Sequence, residues 1–205
     1  MIAFVGTGAL GTQTIAPENV TVGSIGDHTV WLSWDAVTYQ IDPGGYEVFS
    51  SPTGSGVWTS GGWTESKTTT TYPVTGLDSG TTYDFAVVTY TDPHTFNQSL
   101  VNSDFSAQVM TATTNTGCSQ PEIDIVGTGL GPFTLSLTES FDSYAWSTAE
   151  TTSSIVAGPP YGQWYWVTVT SAGPCEETAA AYIQPTIFTD DFETGYFAKW
   201  SSSVP

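Results

Sequence analysis

Apolar and polar residues alternate with a period of two along most of the first 110 positions, the signature of strands that bury one face. In Thr29-Val30-Trp31-Leu32-Ser33-Trp34, the side chains of Val30, Leu32 and Trp34 share a face and Trp31 takes the opposite one. Asp42-Pro43-Gly44-Gly45 is turn chemistry, and Tyr46-Glu47-Val48-Phe49 resumes a strand. The Gly/Ser-rich stretch 51–62 predicts a loop, and 84–90 a further strand. Past a Thr/Asn/Gly linker at 113–117, strands are expected over 122–126, 133–137, 143–146, 153–156 and 165–170. In the last of these Tyr165, Val167 and Val169 point inward, which leaves Trp164 and Trp166 pointing outward side by side.

The pattern predicts an all-β chain of two tandem antiparallel β-sandwiches with extended terminal segments. Residues 1–16 form the N-terminal segment, 17–114 the first sandwich, 115–184 a smaller second one, and 185–205 an acidic, aromatic tail. At about 67 residues the second unit is short for a complete sandwich, and small domains bury little surface. A missing strand would leave an open edge in need of cover.

Several motifs carry resemblances. Pro17, the run Leu32-Ser33-Trp34, the pair Gly45-Tyr46 and the turn Leu77-x-x-Gly80-Thr81-x-Tyr83 together resemble a fibronectin type III domain over about 98 residues. The resemblance implies a seven-stranded sandwich without an intrinsic catalytic site. It also makes Tyr83 a tyrosine-corner residue whose hydroxyl bonds back to the main chain. The series Ser143-Tyr144-Ala145-Trp146, Ser153-Ser154-Ile155 and Trp164-Tyr165-x-Val167-x-Val169 before Cys175 resembles bacterial Ig-like or PKD-like repeats. In that fold Trp146 would pack on a Cys118–Cys175 bridge. The tail Asp190-Asp191-Phe192-Glu193-Thr194-Gly195, followed by Trp200-Ser201, is similar to an Asp-Gly-Phe-Glu-Ser-Gly…Trp-Ser motif of secreted bacterial proteins, with Asp191 and Thr194 as departures.

Charge narrows the partners. Two lysines, no arginine and 20 acidic residues give a formal charge of −18. Nucleic acid requires a basic stripe and an anionic membrane requires basic clusters, so both are excluded. No apolar run reaches membrane-spanning length. The hydrophobic content of 39% suffices for a core, so disorder is rejected. The two cysteines, Cys118 and Cys175, read as a disulfide in an extracellular or cell-surface bacterial protein, the alternative being two buried thiols. The first residues lack the features of a signal peptide, which suggests a mature or trimmed product.

Catalytic chemistry is sparse. His28 and His94 stand alone near turns, and zinc sites need clustered ligands. Gly6-Thr7-Gly8 and Gly127-Thr128-Gly129 lack a phosphate-loop context. No cofactor is expected except calcium, for which Asp190, Asp191 and Glu193 offer hard oxygen ligands, with Glu176-Glu177 as a second acidic pair. A solvated acidic loop is the competing reading. Asn19-Val20-Thr21 and Asn97-Gln98-Ser99 are N-glycosylation sequons at Asn19 and Asn97. Trp31, Trp164 and Trp166, facing away from their cores, are candidates for an interface or a sugar-stacking platform, unless the chain itself covers them.

Two functions follow, neither enzymatic. In the first, Phe4 and Val5 lie in a donor strand, because Phe4-Val5-Gly6-Thr7-Gly8 echoes Ile125-Val126-Gly127-Thr128-Gly129. Copies then join head to tail into an extracellular homopolymer, a filament or matrix built by strand donation. The alternative for residues 1–16 is the first strand of their own domain. In the second, the chain is an accessory module of a larger secreted hydrolase or adhesin and its partner is a glycan.

Overall fold

The computed structural model describes residues 15–95, 97–127, 132–159, 161–173 and 175–184. Among them every regular element is a strand and every pairing is antiparallel. Among the described residues no helix is long and apolar enough to cross a membrane.

The alternation around Trp31 builds the first sandwich. β1 (Thr21–Ile25), β2 (Val30–Ser33) and β5 (Thr71–Val74) form one sheet in the order β1-β2-β5. The facing sheet holds β3 (Gly44–Pro52), β4 (Thr59–Trp63), β6 (Thr82–Thr91), β7 (Val101–Asn102) and β8 (Val109–Ala112). β7 and β8 lie on the same side of β6, at opposite ends of it. Between the sheets Val30, Leu32, Trp34, Tyr46, Val48, Phe85 and Val87 are buried, and the Trp34 and Tyr46 rings meet edge-on at 5.3 Å. The Tyr46 hydroxyl is satisfied twice, donating to Lys67 O and accepting from Val37 N–H. Tyr83 Oη accepts from Asp78 N–H at 3.1 Å, the expected return bond to the main chain.

The Gly/Ser-rich stretch is only partly a loop. Its end forms edge strand β4, with a register shift where it passes Val48 and Phe49. Gly62 sits there at φ +118°, and a Cβ on it would stand 2.2 Å from Tyr72 Oη. The glycine is therefore the gap through which a core tyrosine reaches the edge of the sandwich.

The second sandwich is more complete than the expected strands allow. β9 (Ile123–Val126), β10 (Phe133–Leu137) and β12 (Ser154–Ala157) pair in the order β12-β10-β9. β11 (Ser143–Trp146), β13 (Gln163–Thr170) and β14 (Glu176–Ile183) pair in the order β11-β13-β14. The added strand β14 pairs with β13 along its whole length and buries Ala179, Ala181 and Ile183. Trp146 lies in this core with its Nε1–H donated to Thr152 O, whereas the cysteine bridge lies outside that core. The expectation that Trp146 packs on the bridge is corrected accordingly: the bridge ties the stretch after β8 to the start of β14.

Candidate functional site between the two sandwiches

The turn between β1 and β2 grips the chain that leaves the first sandwich. Asp27, 1% exposed, presents its carboxylate to the main chain of 116–118. Thr116, Gly117 and Cys118 donate their N–H groups to it at 2.8–3.0 Å, and the Thr114 and Thr116 hydroxyls add two more bonds. Burial by itself raises the Asp27 carboxyl, but these donors outweigh it and hold the group well below the usual carboxylate range. Asp27 is a binding residue for its own linker, and the linker expected at 113–117 is pinned.

Glu177 answers from β14. Its carboxylate accepts the main-chain N–H groups of Asp27 and His28. Thr29 and Thr178 then exchange two bonds at 3.1 Å, Thr29 Oγ1 donating to Thr178 O and accepting from Thr178 N–H. Gly26 allows this approach, since a Cβ there would stand 2.6 Å from Glu177 Oε1. Cys118 and Cys175 form a disulfide with a Cα–Cα distance of 5.5 Å. Asp27, Cys118 and Glu177 lie close enough to suggest a metal site. However, the sulfur is committed to the bridge and both carboxylates to N–H groups, so the cluster is a clamp built by the protein for itself.

Beside the clamp the outward aromatics meet. Trp31 contacts Trp166 edge-on at 6.5 Å, and Tyr72 contacts Trp166 at 6.4 Å and Trp164 at 6.1 Å. Trp63, Trp164 and Tyr182 form a triangle with centroids 5.0–5.3 Å apart. The rings Trp31, Trp63 and Tyr72 come from the first sandwich, and Trp164, Trp166 and Tyr182 from the second. Trp31, Trp164 and Trp166 thus face away from their own cores and towards each other, half-buried.

Two cavities open on this seam and share Trp63 and Glu65. The larger, about 480 Å³, is lined by Glu47, Trp63, Glu65, Tyr90, Asp92 and Tyr182 among others. The smaller, about 280 Å³, is lined by Tyr72, Gln163, Trp164 and Trp166 together with the shared pair. Tyr90 donates its hydroxyl to Thr64 O at 2.7 Å. Its phenol is pushed up by burial and then by Asp92, Glu65, Tyr182 and Glu47, and the three carboxylates line the same cavity as the ring. Burial raises Glu65 as well. Tyr72 and Trp164 contribute to the lining of the smaller cavity, but Tyr72 Oη and Trp164 Nε1 themselves are sealed from water and have no hydrogen-bond partner among the described residues. The seam therefore combines aromatic faces with carboxylates in one pair of adjoining cavities.

The other sequence candidates fall elsewhere. Asn19 Nδ2 donates to Asp35 Oδ2 at 2.7 Å, and Asn97 Nδ2 is shielded from solvent. Phe4, Val5, Asp190, Asp191 and Glu193 lie outside the described residues. Sequence reasoning missed Asp27, whose partners are about 90 positions away and leave no local signal. It also missed Trp63, Tyr72, Tyr90 and Tyr182, which belong to four separate strands. The spacing of Trp63 and Glu65, two apart, was the available hint of a shared face.

Residues 15–100 match the family model of the fibronectin type III domain. The first sandwich is a fibronectin type III domain. Chitinase Chi52 of Paenibacillus xylanexedens is 34% identical over 125 residues, which cover 58% of this chain and 21% of the chitinase. The chain therefore spans about a fifth of that relative's length. Among solved structures, a human fibronectin type III domain is 18% identical over 58% of this chain and 89% of its own, with a TM-score of 0.41. A titin fragment, domains A168–A170, is 24% identical over 49% of this chain and 32% of its own, with a TM-score of 0.38.

Proposed function

We propose that this chain is a non-catalytic accessory module of a larger secreted bacterial hydrolase that acts on chitin, and that it holds or orients the enzyme on the insoluble polymer. The observation that carries this is the chitinase match, which covers 21% of that enzyme and 58% of this chain. The clamp at Asp27 and Glu177 supports it, because a spacer with a fixed angle keeps a catalytic unit at a set pose. The disulfide supports an extracellular site of action. The filament reading drew on Phe4 and Val5, and nothing among the described residues extends it.

The test is sedimentation of the chain with insoluble chitin, followed by fusion to a chitin-cleaving catalytic domain. Retention on the solid, and a gain in turnover on solid but not on soluble chitin oligomers, is the expected result. Equal turnover with and without the module on the solid, and no retention, would exclude the role.

A further inference from the structure

The outer face of the five-stranded sheet carries a second group of rings, away from the seam. Phe85 and Val87 of β6 point into the core, so Ala86 and Val88 between and beyond them face outward. Ala86 is fully buried all the same, and Phe49 stands opposite it on β3. Phe49 meets Phe105 edge-on at 5.2 Å, and Phe105 meets Trp58 at 5.1 Å with the ring planes tilted by 38°. Asp84 shares the outward side with Ala86, and its partner Met110 on β8 is 63% exposed. Phe105 is 41% exposed and Val57, next to Trp58, 66%. These are large apolar side chains held open to solvent on one face.

The central ring is fixed before anything binds. Ser103 and Ser106 flank Phe105, and their N–H groups donate to Thr89 O and Val87 O, each at 2.9 Å. Their hydroxyls accept in return from Thr89 N–H at 2.9 Å and Val87 N–H at 3.0 Å. Four bonds thus stitch the stretch between β7 and β8 onto β6, and Phe105 loses little freedom when a ligand settles on it.

Charge and size choose the occupant. The formal charge is −18, and Lys67, the one lysine or arginine among the described residues, is buried. A polyanion finds no cation on this face. A second copy would bring like charge against like, with Asp84 and Asp104 beside the rings. A protein partner also takes about 20–30 residues a side, far more than this handful of apolar side chains. An uncharged sugar chain meets neither obstacle: it is narrow, and the C–H faces of its rings pack on aromatic side chains.

We propose that Trp58, Phe105 and Phe49 form the surface by which this chain grips chitin, packing against the faces of its uncharged sugar rings, with Met110 and Val57 at the margins. The second sandwich leaves this face free, because it docks through Trp31 on the other sheet. This inference rests on the accessory-module reading and names the surface that the reading requires.

The experiment is sedimentation of the full chain with insoluble chitin at low and high salt, beside analytical ultracentrifugation of the free chain. The native sequence is compared with Trp58→Ala, Phe105→Ala and Trp58→Phe. The expected result is about tenfold weaker retention for each alanine variant, the scale of losing one aromatic anchor. Trp58→Phe should stay near native, and salt should change nothing, since no ion pair is made. Met110→Asp alters an exposed position and leaves the rings packed, so it should weaken retention without lowering the thermal midpoint, because contact would strip water from the new carboxylate. Native retention of the alanine variants and of Met110→Asp would overturn the surface and leave the accessory reading standing. Retention that fades as salt rises would overturn it too, in favour of a charged contact. A dimer of the native chain that Phe105→Ala dissolves would overturn it in favour of a second copy. A native chain that is not retained would also overturn it, and the accessory reading would then stand or fall by the turnover gained in the fusion.

Discussion

Cys118 donates its N–H to Asp27 Oδ2 at 2.9 Å while its sulfur is bonded to Cys175, so one residue is fastened to both sandwiches. Replacing Asp27 with Ala leaves the N–H groups of Thr116, Gly117 and Cys118 without their acceptor. The expected loss is about 2 kcal/mol, typical when a charged acceptor is removed from buried donors. Urea unfolding measures it, and a change within error would show that water replaces the carboxylate at no cost.

Acid should loosen the same clamp. The folded Asp27 carboxyl is held below its unfolded value of 3.8, so the group adds stability above that pH and loses it as pH falls further towards the folded value. The thermal midpoint of the native chain should drop more steeply below pH 4 than that of Asp27→Asn, which has no proton to gain. Parallel curves for the two proteins would remove Asp27 from the account.

Reduction should act on one sandwich more than the other. The bridge closes a separation of 57 residues that contains almost all of the second sandwich. Its loss should cost roughly 4 kcal/mol on the chain-entropy model. Hydrogen exchange of Cys118→Ser/Cys175→Ser should show faster opening of β10, β13 and β14, with β3 and β6 little changed. Uniform acceleration of both would mean that the two units unfold as one.

The contact between Trp31 and Trp166 offers a direct probe of the seam. A double-mutant cycle with Ala at each position should give a coupling of about 1 kcal/mol, the size found for edge-on aromatic pairs. Strict additivity would mean that the rings are adjacent without stabilising the junction.

Much of the fold was legible because burial writes itself as alternation. Val30, Leu32 and Trp34 predict their own core, and the outward Trp31, Trp164 and Trp166 announce a second surface. β14 was not legible, because Ala179, Ala180 and Ala181 have no strand preference of their own and become a strand only by pairing with Val167, Trp166 and Tyr165. β4 was hidden for a related reason: Gly61 and Gly62 read as loop, yet they are needed for the bulge that admits Tyr72. The seam was least legible, since its rings converge only after both sandwiches dock. Glu176 and Glu177 show how composition misleads, for what looked like an acidic pair for a cation includes a carboxylate committed to two main-chain donors.

The clamp at Gly26, Asp27 and Glu177 makes the two sandwiches move as one body. Two sandwiches on a slack tether would each lose their own rotational freedom when they settle on a surface. Fastened together, they lose it once, so a weak contact made by one presents the other at high effective concentration. Under the proposed accessory role, such a pair would stay on a surface through contacts that are individually weak.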